Sequence, residues 1–276
     1  MNVEERVADH YSRGDIASAI LAALQQAGKN ITRLQLEDLA AVDEFHIRGA
    51  EATAELAEQL RLEAGQLVLD VGSGLGGPSR HLAHLSGSKV VGIDLTADYC
   101  RCAAELAARV GLSKQVEYHH GSALAMPFPS GHFDCAFTQH VAMNIENKTA
   151  LYAEVHRVLK PEGLFGIYDL LQGPGGEVHF PVPWAQDATS SFLVTPDELR
   201  SLLEKSGFQI VHWTDRSEEG RTWFEQMRQR IEEQGPPPLG FHLLMGPSFR
   251  EMASNQVRNL KERRILPTQV VCRSVM

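Results

Sequence analysis

Asp70, Gly72, Gly74, Gly77 and Asp94 are the residues whose types and spacing point most directly to chemistry. The stretch LVLDVGSGLGGPSRHLA, residues 67–83, opens as an apolar strand with Asp70 set inside it. Five of the six residues after Val71 are Gly or Ser. Pro78 then suits the first position of a helix. Gly72, Gly74 and Gly77 fit G-x-G-x-x-G between strand and helix, a loop whose bare backbone and helix N-terminus let a ligand come close. Asp94 ends the next apolar run, VVGID, about 20 residues on, where an acid can accept ribose hydroxyls. The pattern suits a nicotinamide or flavin dinucleotide, or a tight turn with no ligand. A third fit is a ligand that brings positive charge. Asp70 bears on the choice, because a carboxylate just before the first glycine opposes a pyrophosphate and welcomes an ammonium. S-adenosylmethionine (SAM) has an amino-acid end, a ribose, an adenine and a cationic sulfur, with no phosphate.

Other polar groups give weaker signals. His81 and His84 are spaced to share a helix face, yet no third metal ligand accompanies them. His119 and His120 are strand neighbours and point opposite ways. No metal site is expected. Cys100, Cys102, Cys135 and Cys272 include no Cys-x-x-Cys pair, so reduced structural thiols are expected.

These residues need a scaffold, and the apolar pattern supplies one. Residues 1–62 read as helices: IASAILAAL follows Asp15, a good N-cap, and GAEATAELAEQL has helical spacing. From residue 65, strands alternate with helices. Strands are expected at 67–71, 89–93, 116–120, 133–138, 164–170, 208–213 and 267–273. Helices are expected at 78–85, after Thr96, after Asn147 (ending at Pro161-Glu162-Gly163) and at 196–206. Such alternation means a largely parallel sheet covered on both faces, with ligands at the carboxyl ends of the strands. Residues 215–265 form a long insertion, with the helical run RTWFEQMRQRIEEQ and a loop at Gly235-Pro236-Pro237-Pro238. It either covers the ligand or packs peripherally.

The bulk numbers bound the partners. In 276 residues, 26 are Lys or Arg and 35 Asp or Glu, a net charge of −9, which disfavours binding to nucleic acid through overall charge. Hydrophobic residues at 43% provide a full core. No run approaches the ~18 apolar residues of a membrane span, and MNVEERVADHYSRGD does not resemble a signal peptide. The expectation is a cytoplasmic protein with no membrane or nucleic-acid partner; composition does not set its oligomeric state.

Four segments extend the pattern. VLDVGSGLGGPSRHLA, VVGIDLT, GSALAMPFPSGHFDCAFTQHVAMNI and EVHRVLKPEGLFGIYDLL, within about residues 63–170, resemble in order the motifs of the class I (Rossmann-like) SAM-dependent methyltransferases. VDEFHIRGAEAT and FPVPWAQDATSSFLVTPDELRSLLEKSGF resemble a bacterial small-molecule branch that includes sarcosine/dimethylglycine N-methyltransferases. The resemblance implies an α/β, seven-stranded, mostly parallel sheet with an antiparallel last strand and helices on both faces. It implies a single domain over 1–276: a helical cap at 1–62, a SAM-binding core at 63–170, and acceptor-side segments at 171–276 with a helical lid at 215–265.

Site roles follow from the same resemblance. Asp70 with the backbone of Gly72, Ser73 and Gly74 is expected at the methionine end of SAM, Asp94 on the ribose hydroxyls, and Leu95 on the adenine. Where the family usually has Gly-Asp-Ala, this chain has Gly121-Ser122-Ala123. Ser122 offers an uncharged acceptor for the adenine amino group, and the Ala123 amide reaches the ring. Gln139 turns its carbonyl to the ammonium. His140 is a candidate general base and Asn144 a candidate orienting amide for the acceptor. Tyr11, Phe45 and His46 belong to the cap side, Trp184 to an acceptor segment, and Phe241, His242 and Met245 to a lid. The implied reaction is methyl transfer from SAM to a small molecule, leaving S-adenosylhomocysteine (SAH). A sarcosine-type amine is the leading acceptor, with an oxygen or carbon acceptor such as a phenol, quinone or prenyl group close behind. A non-catalytic SAM-binding module and a nicotinamide oxidoreductase are the remote alternatives.

Overall fold

The computed structural model describes residues 2–11, 16–235, 237 and 239–275. Asp15, the expected cap, lies outside them, as do Pro236 and Pro238 of the expected loop. Four helices come first: α1 (Val3–Tyr11), α2 (Ile16–Gln26), α3 (Leu36–Asp43) and α4 (Gly49–Leu60). The alternating core follows as β1 (Leu67–Val71), α5 (Gly77–Ser86), β2 (Lys89–Asp94), α6 (Ala97–Arg109), β3 (Val116–His120), β4 (Phe133–Gln139), α7 (Lys148–Val158) and β5 (Leu159–Gln172). The chain closes with α8 (Pro196–Lys205), β6 (Phe208–Asp215), α9 (Ser217–Gln234), α10 (His242–Met245), α11 (Phe249–Lys261) and β7 (Ile265–Ser274).

The seven strands are ordered β3-β2-β1-β4-β5-β7-β6, a Rossmann-like α/β sheet. β1 to β5 pair in parallel, and β7 runs antiparallel between β5 and β6. The chain moves outward from β1 through β2 to β3, then restarts at β4 on the other side of β1. The carboxyl ends of β1 and β4 therefore flank the switch point, where an open parallel sheet leaves a crevice.

Strand parity divides the core. Leu69, Val71 and Ala136 pack on one face with Leu151, Val155 and Leu203. Val68, Cys135 and Phe137 pack on the other with Leu56, Leu82 and Ala107. All four cysteines are free and buried. α4 lies tight on β5 because Gly166 has no side chain; a Cβ there would come within 2.9 Å of Leu56. That close approach brings residues 43–53 to the strand ends.

Most elements form where the pattern predicts, with two differences. β5 starts at Leu159, so Pro161-Glu162-Gly163 sits within the strand's span instead of between helix and strand. Pairing jumps from Phe133↔Leu159 to Cys135↔Leu164, and the intervening residues bulge, with Glu162 at φ +64°. Thr96 occupies the cap position of α6 but makes no capping bond to the helix. By contrast Asn147 caps α7 through Ala150 N, and Thr195 with Glu198 forms a full capping box on α8. No helix among the described residues is long and apolar enough to cross a membrane.

Candidate active site

A cavity of about 240 Å³ opens at the switch point. Its floor is the loop after β1, with Gly72, Ser73 and Gly74 on the wall. Gly72 has φ +78°, and a Cβ there would sit 2.4 Å from Val141, so only glycine fits. The amides of Gly72 and Ser73 donate to Ile93 O at 2.8 and 3.1 Å, which ties the loop to β2. Asp94 closes the far side: its Oδ2 accepts from the Gly74 amide and its Oδ1 from the Thr96 amide, both at 2.8 Å. Burial raises the Asp94 carboxyl above its usual pKa, while the two amides oppose the shift. Leu95, Ala123 and Leu124 add apolar wall, and Gln139 and His140 stand at the end of β4.

Val3, Glu4, Val7 and Tyr11 of α1 roof this cavity. The Tyr11 hydroxyl donates to Asn144 Oδ1 at 3.1 Å and ties the roof to the β4 side. Carboxylates on the wall come from Glu4, Asp43, Asp94 and Glu146; among the described residues, no Lys or Arg lines it.

A second cavity, about 520 Å³, lies beyond the first. Phe45, Met143, Trp184, Trp223, Phe224 and Phe249 give it a mostly apolar lining. α9 and α11 of the insertion build one side. Tyr11, Phe45, His46 and His140 belong to both walls, so the cavities meet there.

His140 sits at that meeting point with φ +53°, a conformation costing a non-glycine residue roughly 1–3 kcal/mol. Its backbone amide is anchored to Tyr168 O at 2.8 Å. Its Nε2 is buried without a hydrogen-bond partner. Burial, and then the neighbouring His46, push its pKa well below the usual imidazole value, so the ring stays neutral.

Several residues expected at the site stand elsewhere. Asp70 shares a strand face with Val68 and is covered by α5, so it does not line either cavity. Its carboxylate accepts from Ser79 Oγ at 2.5 Å in the first turn of α5, and burial raises its pKa to about 7. Ser122 is turned away from the wall: its hydroxyl donates to Glu4 and accepts from Leu124 N, so it latches α1 to the turn. Asn144 lines the first cavity, but its amide is committed to the protein: Nδ2 donates to Trp184 O at 2.7 Å and Ser190 O at 2.9 Å. His242 and Met245 reach neither wall, whereas Phe241 lines the second cavity and Leu244 the first. His81 turns inward to Glu44 while His84 is exposed.

One group escaped the sequence reading. Glu44 is buried beneath the wall and joins Thr53, His46 and His81. All but His81 lie within VDEFHIRGAEAT, yet spacing alone does not reveal that a turn and a helix bring them together.

Comparison with known proteins agrees with this geometry. Residues 69–167 match the family model described as a methyltransferase domain. Residues 69–167, from β1 into β5, form a methyltransferase domain. The chain is 28% identical over 168 residues to a sterol 24-C-methyltransferase of Gibberella zeae, covering 58% of this chain and 44% of that protein. The chain spans less than half the length of the first curated relatives it matches. Among solved structures, the [4+2]-cyclase SpnF superposes with a TM-score of 0.70 at 23% identity, covering 99% of this chain and 97% of that one. Geranyl diphosphate C-methyltransferase of Streptomyces coelicolor superposes at 0.70 and 15% identity, covering 100% and 98%. The methyltransferase domain and its outer segments thus share one fold with these proteins along the whole chain.

Proposed function

We propose that this chain is a SAM-dependent methyltransferase acting on a largely apolar small molecule. The observation that carries the reading is the pair of cavities: an acidic, glycine-floored one meeting a larger apolar one at His46 and His140. A dinucleotide pyrophosphate would find carboxylates and no cationic side chain on that wall, whereas a cationic ligand finds counter-charge. Ser73 Oγ, buried and unpartnered on the floor, is available to a polar ligand group. The residues present therefore fit SAM.

In this reading the loop amides and Ser73 take the methionine end, Asp94 takes the ribose hydroxyls, and Leu95 with the Ala123 amide takes the adenine. SAM supplies a methyl bound to a cationic sulfur. The chain contributes orientation and exclusion of water, the main levers in a displacement of this kind. His140, its ring neutral and its Nε2 without a protein partner, orients the acceptor where the cavities meet. Residues 215–265 act as a lid through α9 and α11.

The acceptor class follows from the second wall. Sarcosine is small and carries a carboxylate that needs a counter-charge. Arg228 on that wall is already paired with Glu225 and Glu232, and Arg221 with Glu218, while Lys261, the third cation there, is exposed to solvent. A prenyl, sterol-like or other extended apolar acceptor fits better, in keeping with relatives named for a sterol and for geranyl diphosphate.

Calorimetry with SAH and with NADH tests the cofactor: SAH binding is expected, and NADH binding without SAH binding overturns the reading. Transfer of labelled methyl from SAM to a long-chain phenol, a prenylated hydroquinone, a sterol and sarcosine tests the acceptor. Label on sarcosine alone overturns the apolar assignment; SAH binding with no label on any acceptor points to a non-catalytic SAM-binding chain.

A further inference from the structure

A continuous set of polar side chains runs from the meeting point of the cavities to the protein surface, and the methyl-transfer reading gives it no role so far. His46, on both cavity walls and 5% exposed, begins it. Its Nε2 lies 3.0 Å from Gly49 O. A carbonyl only accepts, so Nε2 carries the hydrogen and Nδ1 is left with the lone pair. Nδ1 makes no hydrogen bond to any described residue, and His46 lines both cavities. Thr53 Oγ1 lies 3.2 Å from His46 Nε2 and donates to Glu44 Oε2 at 2.7 Å. Glu44 Oε1 lies 3.2 Å from His81 Nδ1. The His81 side chain is 24% exposed, so the chain of groups ends at water.

We propose that His46 is the catalytic base of this site and that Thr53, Glu44 and His81 carry the proton it takes to solvent. The proposal rests on the methyl-transfer reading and names the group that completes it. Transfer of the methyl to an O–H or N–H acceptor forms the new bond to carbon, leaves the S–CH₃ electron pair on sulfur and frees one proton. His46 Nδ1 accepts that proton. The imidazolium's Nε2 hydrogen passes to Thr53 Oγ1 as the Thr53 hydrogen passes to Glu44; Glu44 passes its proton to the Nδ1 lone pair of neutral His81, and His81 releases its Nε2 hydrogen to water. A buried carboxylate beside the imidazolium stabilises the charge that forms. His140 is less suited to the task, since no carboxylate touches its ring and its pKa is pushed further down.

The charges around His46 are mixed. Burial holds its pKa below the usual imidazole value; Glu44 and the Gly49 carbonyl favour the protonated form, while His81 from α5 and Arg48 from its own segment oppose it. The Gln139 side-chain amide from β4 lies 3.2 Å from both His46 Nε2 and Thr53 Oγ1; with hydrogen on Nε2 its oxygen faces the ring and its nitrogen donates to Thr53, and the rings of His140 and Tyr168 stand 5.9 Å away. Glu44 holds His81 above the usual imidazole value, the direction expected for a group facing an ionised carboxylate.

Nitrogen-15 NMR of histidine-labelled protein saturated with SAH tests the proposal without an acceptor. The His46 signals are identified by their loss in His46→Asn. The neutral His46 is expected with hydrogen on Nε2 and none on Nδ1. Glu44→Gln is expected to lower the titration midpoints of both His46 and His81 by at least one pH unit. Hydrogen on Nδ1 in the wild-type protein overturns the proposal, as do midpoints that Glu44→Gln leaves unchanged. Should Glu44→Gln fail to fold, the wild-type tautomer decides, and His81→Asn must then shift the His46 midpoint upward. If SAH fails to bind by calorimetry, it is the methyl-transfer reading that falls, and the spectra recorded without SAH still report the tautomer.

Discussion

His46 and His140 stand edge to face, ring centroids 5.9 Å apart, on the wall shared by the two cavities. One comes from the helical N-terminal segment and the other from the end of β4, so the site exists only when the cap is docked on the sheet. His140 belongs to both walls, and the proposed function sets the acceptor against it. His140→Ala is expected to lower turnover at least tenfold with SAH affinity within twofold of wild type. A parallel loss of SAH affinity would move His140 to the cofactor side.

Asp94 carries two backbone amides and faces the first cavity. Asp94→Ala removes the proposed ribose acceptor and frees the Gly74 amide, a combined loss of about 2–4 kcal/mol. SAH affinity is expected to fall by a factor of thirty or more in calorimetry. Asp94→Asn should lose less, because an amide oxygen still accepts.

Asp70 gives a pH signature of stability. Its folded pKa is about 7, raised from an unfolded value of about 4. A raised folded pKa means stability fully present below pH 4 and lost as pH rises through 7, since the folded state keeps a proton the unfolded state has released. Asp70→Asn stays neutral and escapes that loss. Urea unfolding should show variant and wild type alike at pH 4, with the variant more stable at pH 8 by about 2–4 kcal/mol. Equal stability at pH 8 would show that Asp70 ionises in the fold without penalty.

Asn144 latches three segments, since Tyr11, Trp184 and Ser190 all bond to its amide. Asn144→Ala leaves a buried hydroxyl and two carbonyls unmet and is expected to cost about 2–4 kcal/mol, lowering the melting temperature. Tyr11→Phe removes one of those bonds and should cost about 1 kcal/mol while loosening α1 over the first cavity. SAH affinity should weaken in both, and an unaffected affinity in Tyr11→Phe would free α1 from that role.

Phe224 belongs to the second cavity alone. Phe224→Ala removes apolar contact with the acceptor, about 1–3 kcal/mol of binding. With a prenylated hydroquinone as acceptor, KM is expected to rise about tenfold or more while SAH affinity stays constant. A charged amine acceptor would be insensitive to the change.

The sequence by itself determined the alternating core. Period-two and helical spacing, Pro78, and the cap at Asn147 act within a few residues of each other, so they are legible without tertiary contacts. The glycine loop and Asp94 were legible for the same reason: a turn, a bare backbone and a strand-end acid are local facts. Only the tertiary structure decided where Asp70, Ser122 and Asn144 spend their polar atoms. Asp70 reads as a ligand group until strand parity turns it under α5; Ser122 meets Glu4 and Asn144 meets Tyr11 only when α1 folds back over the strand ends. The same docking decided the Glu44 network, since His46 reaches β4 and Glu44 reaches α5 across sequence separations that periodicity cannot see. Local spacing fixes a side chain's direction on its own element, but a buried polar atom takes its partner from whichever element packs against it.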